Sequence, residues 1–179
     1  MNQPPLSEAE LYEHLTVYLF QDLLAGGFCP GDGSPIDVWH RRKYAGKSGH
    51  SHEIDVSFAF ELAGIRFLVL VECKRYSQTV NISDVLELKS RIDDIGAQKG
   101  IFVTTLGFQA GAERYAEANG IALTLFSHSG FKVLKGFSRR TVLFAEPRFL
   151  ELRASRSFER FGDLVRDALA SGDFRGENP

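Results

Sequence analysis

Asp55, Glu72 and Lys74 are the residues around which chemistry can be built. They lie in a stretch, Glu53 to Lys74, that reads as two strands joined by a tight turn. In the first, Ile54, Val56, Phe58, Phe60 and Leu62 alternate with Glu53, Asp55, Ser57, Ala59 and Glu61, the period of a half-buried strand. The second, Ile65 to Cys73, is an almost unbroken apolar run, as in a strand covered on both faces. Ala63-Gly64 supplies the turn, because Gly accepts positive φ. If Leu62 pairs with Ile65, Asp55 lies opposite Glu72 and Glu53 opposite Lys74, and all four side chains share one face. Two facing carboxylates repel unless a divalent cation sits between them or one is protonated. With Lys74 two residues beyond Glu72 on the same side, the set suits metal-assisted attack on a phosphodiester. The register assumes an even-residue loop; a three-residue loop would turn Glu72 to the other face.

These residues need a scaffold, and 179 residues with 44% apolar and 25% charged content are enough for one ordinary globular domain. The net charge of -2 excludes a protein that is basic all over, so any nucleic-acid contact must be local. Cys29 and Cys73 are the only cysteines and make no disulfide framework, which fits a reducing cytoplasm. Met1 to Glu10 is polar and acidic with no apolar signal segment, and no window is apolar enough to cross a membrane.

Ser7-Glu8-Ala9-Glu10 has capping-box spacing and opens a first helix to about Leu24, with a stripe of Leu11, Leu15, Tyr18, Leu19 and Leu23. Residues 36–44 form a strand beside 53–62. After Lys74, Asn81 or Ser83 caps a helix to Ile95, stopped by Gly96, with Val85, Leu88, Ile92 and Ile95 buried. Ile101-Phe102-Val103 is a short buried strand, Ala110 to Asn119 a third helix, and Ile121 to Phe126 another buried strand. This alternation requires parallel pairing with right-handed crossovers. The expected fold is α/β: a helix, a three-strand meander, then helix, strand, helix, strand, a mixed central sheet with helices on both faces. Beyond Ser127 the pattern weakens. Residues 131–137 and 141–144 read as edge strands, about 156–170 as an amphipathic helix used in packing, assembly or DNA contact, and 172–179 as a frayed tail.

Further polar residues stand out. Glu13 falls in line with Val17, Phe20 and Leu24, which makes it either a third acid aimed at the site or a half-exposed residue favoured by the helix dipole. Arg41, Arg42 and Lys43, followed by a glycine-containing loop with Lys47, Ser48 and His50, could hold a nucleic-acid backbone, or the loop is simply solvated. His50 and His52 lack the partners a zinc site needs, and no Ser has a His–Asp set around it.

Asp55 followed by Glu72-Cys73-Lys74 after a hairpin resembles the Asp…Glu-x-Lys motif of the PD-(D/E)XK nuclease superfamily, and more closely its Mrr-like restriction endonuclease domain. Tyr12-Glu13, Ser48-Gly49 before Glu53-Ile54-Asp55-Val56, Lys99 to Thr105, Gly111-Ala112 and Tyr115-Ala116 extend the likeness over about residues 6–126. Ile54 stands where a proline often precedes the first acid, and no separate DNA-reading domain is evident. The resemblance implies a nuclease core at 1–126, an α-βββ-α-β-α-β restriction-endonuclease-like fold, and a C-terminal extension at 127–179. It implies cleavage of DNA with Mg²⁺, for which Mn²⁺ would substitute, in defence against foreign or modified DNA. Asp55, Glu72 and the Cys73 backbone carbonyl would hold the metal. Lys74 would orient water or neutralise phosphate, and Glu13 would hold a second metal or its water. Glu53 would set Lys74 or make a plain cross-strand salt bridge, and Gln98 would face the site from the next strand or end a turn. A homodimer and a separate specificity partner are open, with no membrane partner. The alternatives are a junction resolvase or repair nuclease on the same core, and a non-catalytic nucleic-acid-binding or assembly module.

Overall fold

The structure is a computed structural model and describes residues 6–24, 36–62, 64–75, 78–127 and 130–135. The elements follow in the order α1 (Glu8–Leu23), β1 (Val38–Ala45), β2 (Ser51–Leu62), β3 (Ile65–Lys74), α2 (Ile82–Ile95), β4 (Lys99–Thr104), α3 (Ala110–Ala118), β5 (Ala122–Ser127) and β6 (Gly130–Lys135). The six strands form one sheet in sequence order. β1, β2 and β3 pair antiparallel, β3 with β4 and β4 with β5 pair parallel, and β6 returns antiparallel along β5. This is the expected mixed sheet, continued by β6 past residue 126.

Local chemistry accounts for the ends of the elements. Ser7 and Glu10 form a reciprocal capping box on α1, and Asn81 and Asp84 form one on α2. Gly96 closes α2 at a φ of 80°, where a side chain would be strained. Gly64, at φ 76°, turns the β2–β3 hairpin, and Leu62 pairs with Ile65 as the alternation requires.

The sheet is covered on both faces. α1 lays Tyr12, Leu15, Leu19, Phe20 and Leu23 on Val56, Phe58, Phe60, Val69, Val71, Cys73, Ile101 and Val103. α2 and α3 cover Ile54, Leu70, Phe102 and Leu123 with Val85, Leu88, Ile92, Ala112 and Ala116. Burial on both faces explains the apolar runs Phe67–Val71 of β3 and Ile101–Val103 of β4. Tyr18, expected in the α1 stripe, is 43% exposed; Tyr12 and Phe20 are buried instead. The Tyr12 hydroxyl donates to the Phe126 carbonyl at 3.0 Å, tying α1 to β5. Tyr12→Phe is therefore expected to cost about 1 kcal/mol, read as a lowered urea midpoint with an unchanged m-value.

The expected elements at 141–144 and 156–170, the tail at 172–179 and Cys29 lie outside the described residues. Among the described residues, no helix is long and apolar enough to cross a membrane.

Candidate active site

The β2–β3 ladder runs from Leu62↔Ile65 to Val56↔Val71 and goes no further. Beyond it the Cys73 N–H meets the Asp55 carboxylate, whose Oδ2 accepts at 2.8 Å. A side chain thus replaces the ladder at the point where the two strands part. Glu72, next along β3, is only 5% exposed. By alternation Glu72 and Lys74 lie on the α2 side of the sheet, while Cys73 packs on the α1 side as the expected buried thiol. Burial pushes that thiol well above its ordinary range.

The Glu72 carboxylate meets two cations. Lys74 Nζ is 3.5 Å from Oε1, and Arg91 Nη1 donates to Oε2 at 2.8 Å. Arg91 comes from α2 and also holds Glu87, one turn earlier on the helix, at 2.5 Å. Sequence reasoning missed Arg91. The only available signal was a charged residue at the edge of the Leu88–Ile92 stripe, and such a residue is ordinarily solvated. Burial raises the Glu72 carboxyl, the Asp55 charge raises it further, and Arg91 and Lys74 offset part of this, leaving it at about 7. Asp55 is also raised, first by burial, against the Cys73 hydrogen bond; the charge of Glu13 adds to the rise while Arg91 and Lys74 oppose it. Asp55 therefore feels Glu13 from the α1 side and the two cations from the α2 side.

The raised Glu72 has a consequence for stability. The folded form holds its proton more tightly than the unfolded chain between about 4.5 and 7. Without metal, stability should then fall as pH rises through that window, by roughly 3 kcal/mol at most. Urea midpoints at pH 5 and pH 8 in the presence of a chelator measure this; equal midpoints would show that the pair carries no such strain.

Glu13 is buried at 8% exposure, against the half-exposed reading. His40 Nε2 lies 2.8 Å from its Oε2, Arg41 Nε donates to the same oxygen at 2.8 Å, and Arg41 Nη2 donates to Oε1 at 3.2 Å. Burial alone would raise its carboxyl, but the hydrogen bonds and charges of His40 and Arg41 outweigh it and hold it at about 2. The geometry depends on Arg41, whose φ of 45° is the only positive value at a non-glycine among the described residues. The kink turns two consecutive β1 side chains to the α1 face. Glu13 is thus near the acids, with both of its oxygens engaged by Arg41 and His40. Arg41, expected on a phosphate backbone, is a clamp for Glu13 and Glu10.

Other expectations shift as well. Glu53 pairs with Lys43 across β1 and β2, at 3.9 Å between exposed side chains, because β2 has already left β3. That is the cross-strand salt bridge, with a different lysine. Gln98 is at the far end of β4: it accepts from Leu68 N at 2.7 Å and donates to Gly96 O at 2.9 Å, whereas Glu72 is level with Phe102. It ends a turn and does not face the acids. Lys47 Nζ donates to Asp93 O at 2.7 Å, and Ser48 donates its N–H and Oγ to Asp94, which also meets His52 at 2.6 Å. These two residues dock the glycine loop on the end of α2. Arg42 lies over Trp39 at 4.1 Å, and His50 packs edge-on against His52.

Among the described residues, no group of three or more His, Cys, Asp or Glu side chains is arranged to hold a metal ion. The donor set fits a different kind of seat: a buried and a half-buried carboxylate whose mutual repulsion a cation would relieve, with water completing the shell, as Mg²⁺ prefers. Thr104, level with Lys74 on β4, has a fully buried hydroxyl without a hydrogen-bond partner.

Residues 36–132, more than half of the chain, match the family model Mrr_cat, described as a restriction endonuclease. No curated protein matches. Among solved structures, the protein of unknown function AF1548 superposes with a TM-score of 0.54 at 17% identity, covering 92% of this chain and 96% of that one. The MspJI restriction endonuclease in complex with a 27-mer oligonucleotide gives 0.45 at 15% identity, over 66% of this chain and 26% of that one. The DNA modification-dependent restriction endonuclease AspBHI gives 0.42 at 13%, over 97% and 45%. The likeness to AF1548 is one of fold.

Proposed function

We propose a function from a premise now in place: the chain belongs to the Mrr_cat family of restriction endonucleases. Within that family it acts as a metal-dependent DNA endonuclease that hydrolyses phosphodiester bonds, in defence against foreign or modified DNA. The observation that carries this reading is the meeting of Asp55, Glu72 and Lys74 where β2 and β3 part, with Lys74 Nζ 3.5 Å from Glu72.

Asp55, Glu72 and the Cys73 carbonyl would hold Mg²⁺, and Mn²⁺ in its place. When bound, the metal supplies a Lewis acid for the phosphoryl oxygen and lowers the pKa of water. The chain's own residues do the rest. The Cys73 N–H fixes one Asp55 oxygen, so that carboxylate is oriented before anything binds. Lys74 supplies positive charge to steady the pentacovalent phosphate or to orient the attacking water. The apolar packing of Val56, Val71 and Cys73 beneath the acids keeps them in a low-dielectric surround, where that charge acts strongly.

Incubating the protein with supercoiled plasmid and Mg²⁺ tests the reading. Nicked or linear product is expected from the wild type, with a loss of about 10²–10³-fold in Lys74→Ala. Cleavage unchanged in both Lys74→Ala and Asp55→Asn would rule it out.

A further inference from the structure

We propose that Arg91 is the resident counter-ion of Glu72 that a divalent cation must displace, so that α2 sets the affinity of the metal seat. The inference rests on the metal-dependent reading above and adds a residue to it.

The two acids are held differently. Asp55 Oδ2 accepts a neutral backbone N–H. Glu72 has a cation on each oxygen, Lys74 at 3.5 Å and Arg91 at 2.8 Å. A buried carboxylate without metal needs such a partner, and Arg91 makes the closer contact. A metal ion entering the seat meets the same guanidinium twice. It competes for the Glu72 lone pair, and it is repelled by a like charge a few ångströms away in a surround of low dielectric.

Arg91 also has a second place to go. Its Nη2 is on Glu87 at 2.5 Å, and the Glu87 side chain is 55% exposed. Glu87 and Arg91 are four apart on α2, a spacing that keeps them in reach through a change of rotamer. The guanidinium can therefore leave Glu72 without losing its counter-charge. Glu72 and Glu87 together make a two-position rest for one cationic arm. The Arg91 side chain is 23% exposed, so the arm has room to swing toward solvent.

Mn²⁺ binding followed by calorimetry, or by loss of the free-ion electron paramagnetic resonance signal, tests this without DNA and without turnover. Arg91→Gln removes the competing charge and is expected to bind Mn²⁺ about five- to ten-fold more tightly than wild type. Glu87→Gln, at an exposed position that does not endanger folding, removes the second rest and should weaken binding about two- to three-fold. Lys89→Gln, on the same helix but paired with Asp93, controls for net charge and should shift affinity less than two-fold. Unchanged or weaker Mn²⁺ binding in Arg91→Gln overturns the inference, as does an equal gain in Lys89→Gln. If wild type binds no Mn²⁺, or Asp55→Asn binds it as wild type does, the metal-dependent reading itself falls and takes Arg91 with it.

Discussion

Asp55→Asn is expected to lower DNA cleavage by at least about 10³-fold while making the metal-free protein more stable at pH 8. The two effects have one cause. Asp55 sits in a half-buried gap with Glu72, and both carboxyls are pushed up, first by burial and then by neighbouring acid charge. Asparagine keeps an oxygen that can accept from the Cys73 N–H at the place where Asp55 Oδ2 does so now, so the strand junction survives. What disappears is one charge of a repelling pair. The folded-state pKa values of these acids are raised, so their penalty is absent at low pH and grows as pH rises through the folded values. The variant should therefore match wild type near pH 4 and exceed it at pH 8, by about 1 kcal/mol, or roughly 2–4 °C in melting temperature. Adding Mg²⁺ should raise the wild-type melting temperature and leave Asp55→Asn where it was. Thermal melts at both pH values, with chelator and with Mg²⁺, measure all of this. A destabilised Asp55→Asn at pH 8 would mean that Asp55 is a structural acid and not half of a metal seat.

Glu13→Ala is expected to behave in the opposite way, as a loss of stability that no metal restores. The residue is buried, and its two oxygens satisfy Arg41 and His40, which sit on a strained turn of β1. Removing it takes the acceptor from His40 and from two of the Arg41 donors, leaving Arg41 with Glu10 alone, while release of the positive φ, of order 1–3 kcal/mol, offsets part of the loss. Because Arg41 is 40% exposed, water can take up part of the loss, and the net cost should be about 2 kcal/mol rather than the full penalty of a broken buried pair. The pH dependence has the reverse sign to that of Glu72. Glu13 is held at about 2, below its ordinary 4.5, so its contribution is complete above 4.5 and is lost as pH falls toward 2. Wild type and Glu13→Ala should then converge in stability as the solution is acidified. Urea titrations at pH 7 and pH 3 compare the two proteins; an equal gap at both would show that charge is not what Glu13 contributes.

The outcome at Glu13, Glu53 and Lys47 shows where residue-level reading stops. The hairpin glycine at φ 76°, the capping box of α1 and the Asn81 cap of α2 are short-range signals and stand where the spacing put them, and the β2 alternation holds from Val56 to Phe60 but breaks at Ile54, which packs on the α2 side. Ladder register then follows by counting, so the Leu62↔Ile65 pairing carried Asp55 and Glu72 to the same end of the sheet. The count fails where strands twist apart: past Val56↔Val71, Glu53 follows β1 and meets Lys43. A charged side chain's partner is a question of a different kind. Lys47 and Ser48 look like free polar groups of a loop until the end of α2, 46 residues on, arrives beside them. Glu13 looks like a stray acid in an apolar stripe until a kinked β1 turns Arg41 and His40 onto it.

The sequence by itself determined the hairpin, the strand–helix alternation and hence the mixed sheet, and the end of the sheet at which Asp55, Glu72 and Lys74 gather, because periodicity and turn chemistry act over a few residues. Only the tertiary structure decided that Arg91 rests on Glu72, that Glu13 is clamped by Arg41 and His40, and that the glycine loop is docked on α2. Those contacts join residues 19, 28 and 46 positions apart, and no local spacing encodes which helix face will be laid against which strand end.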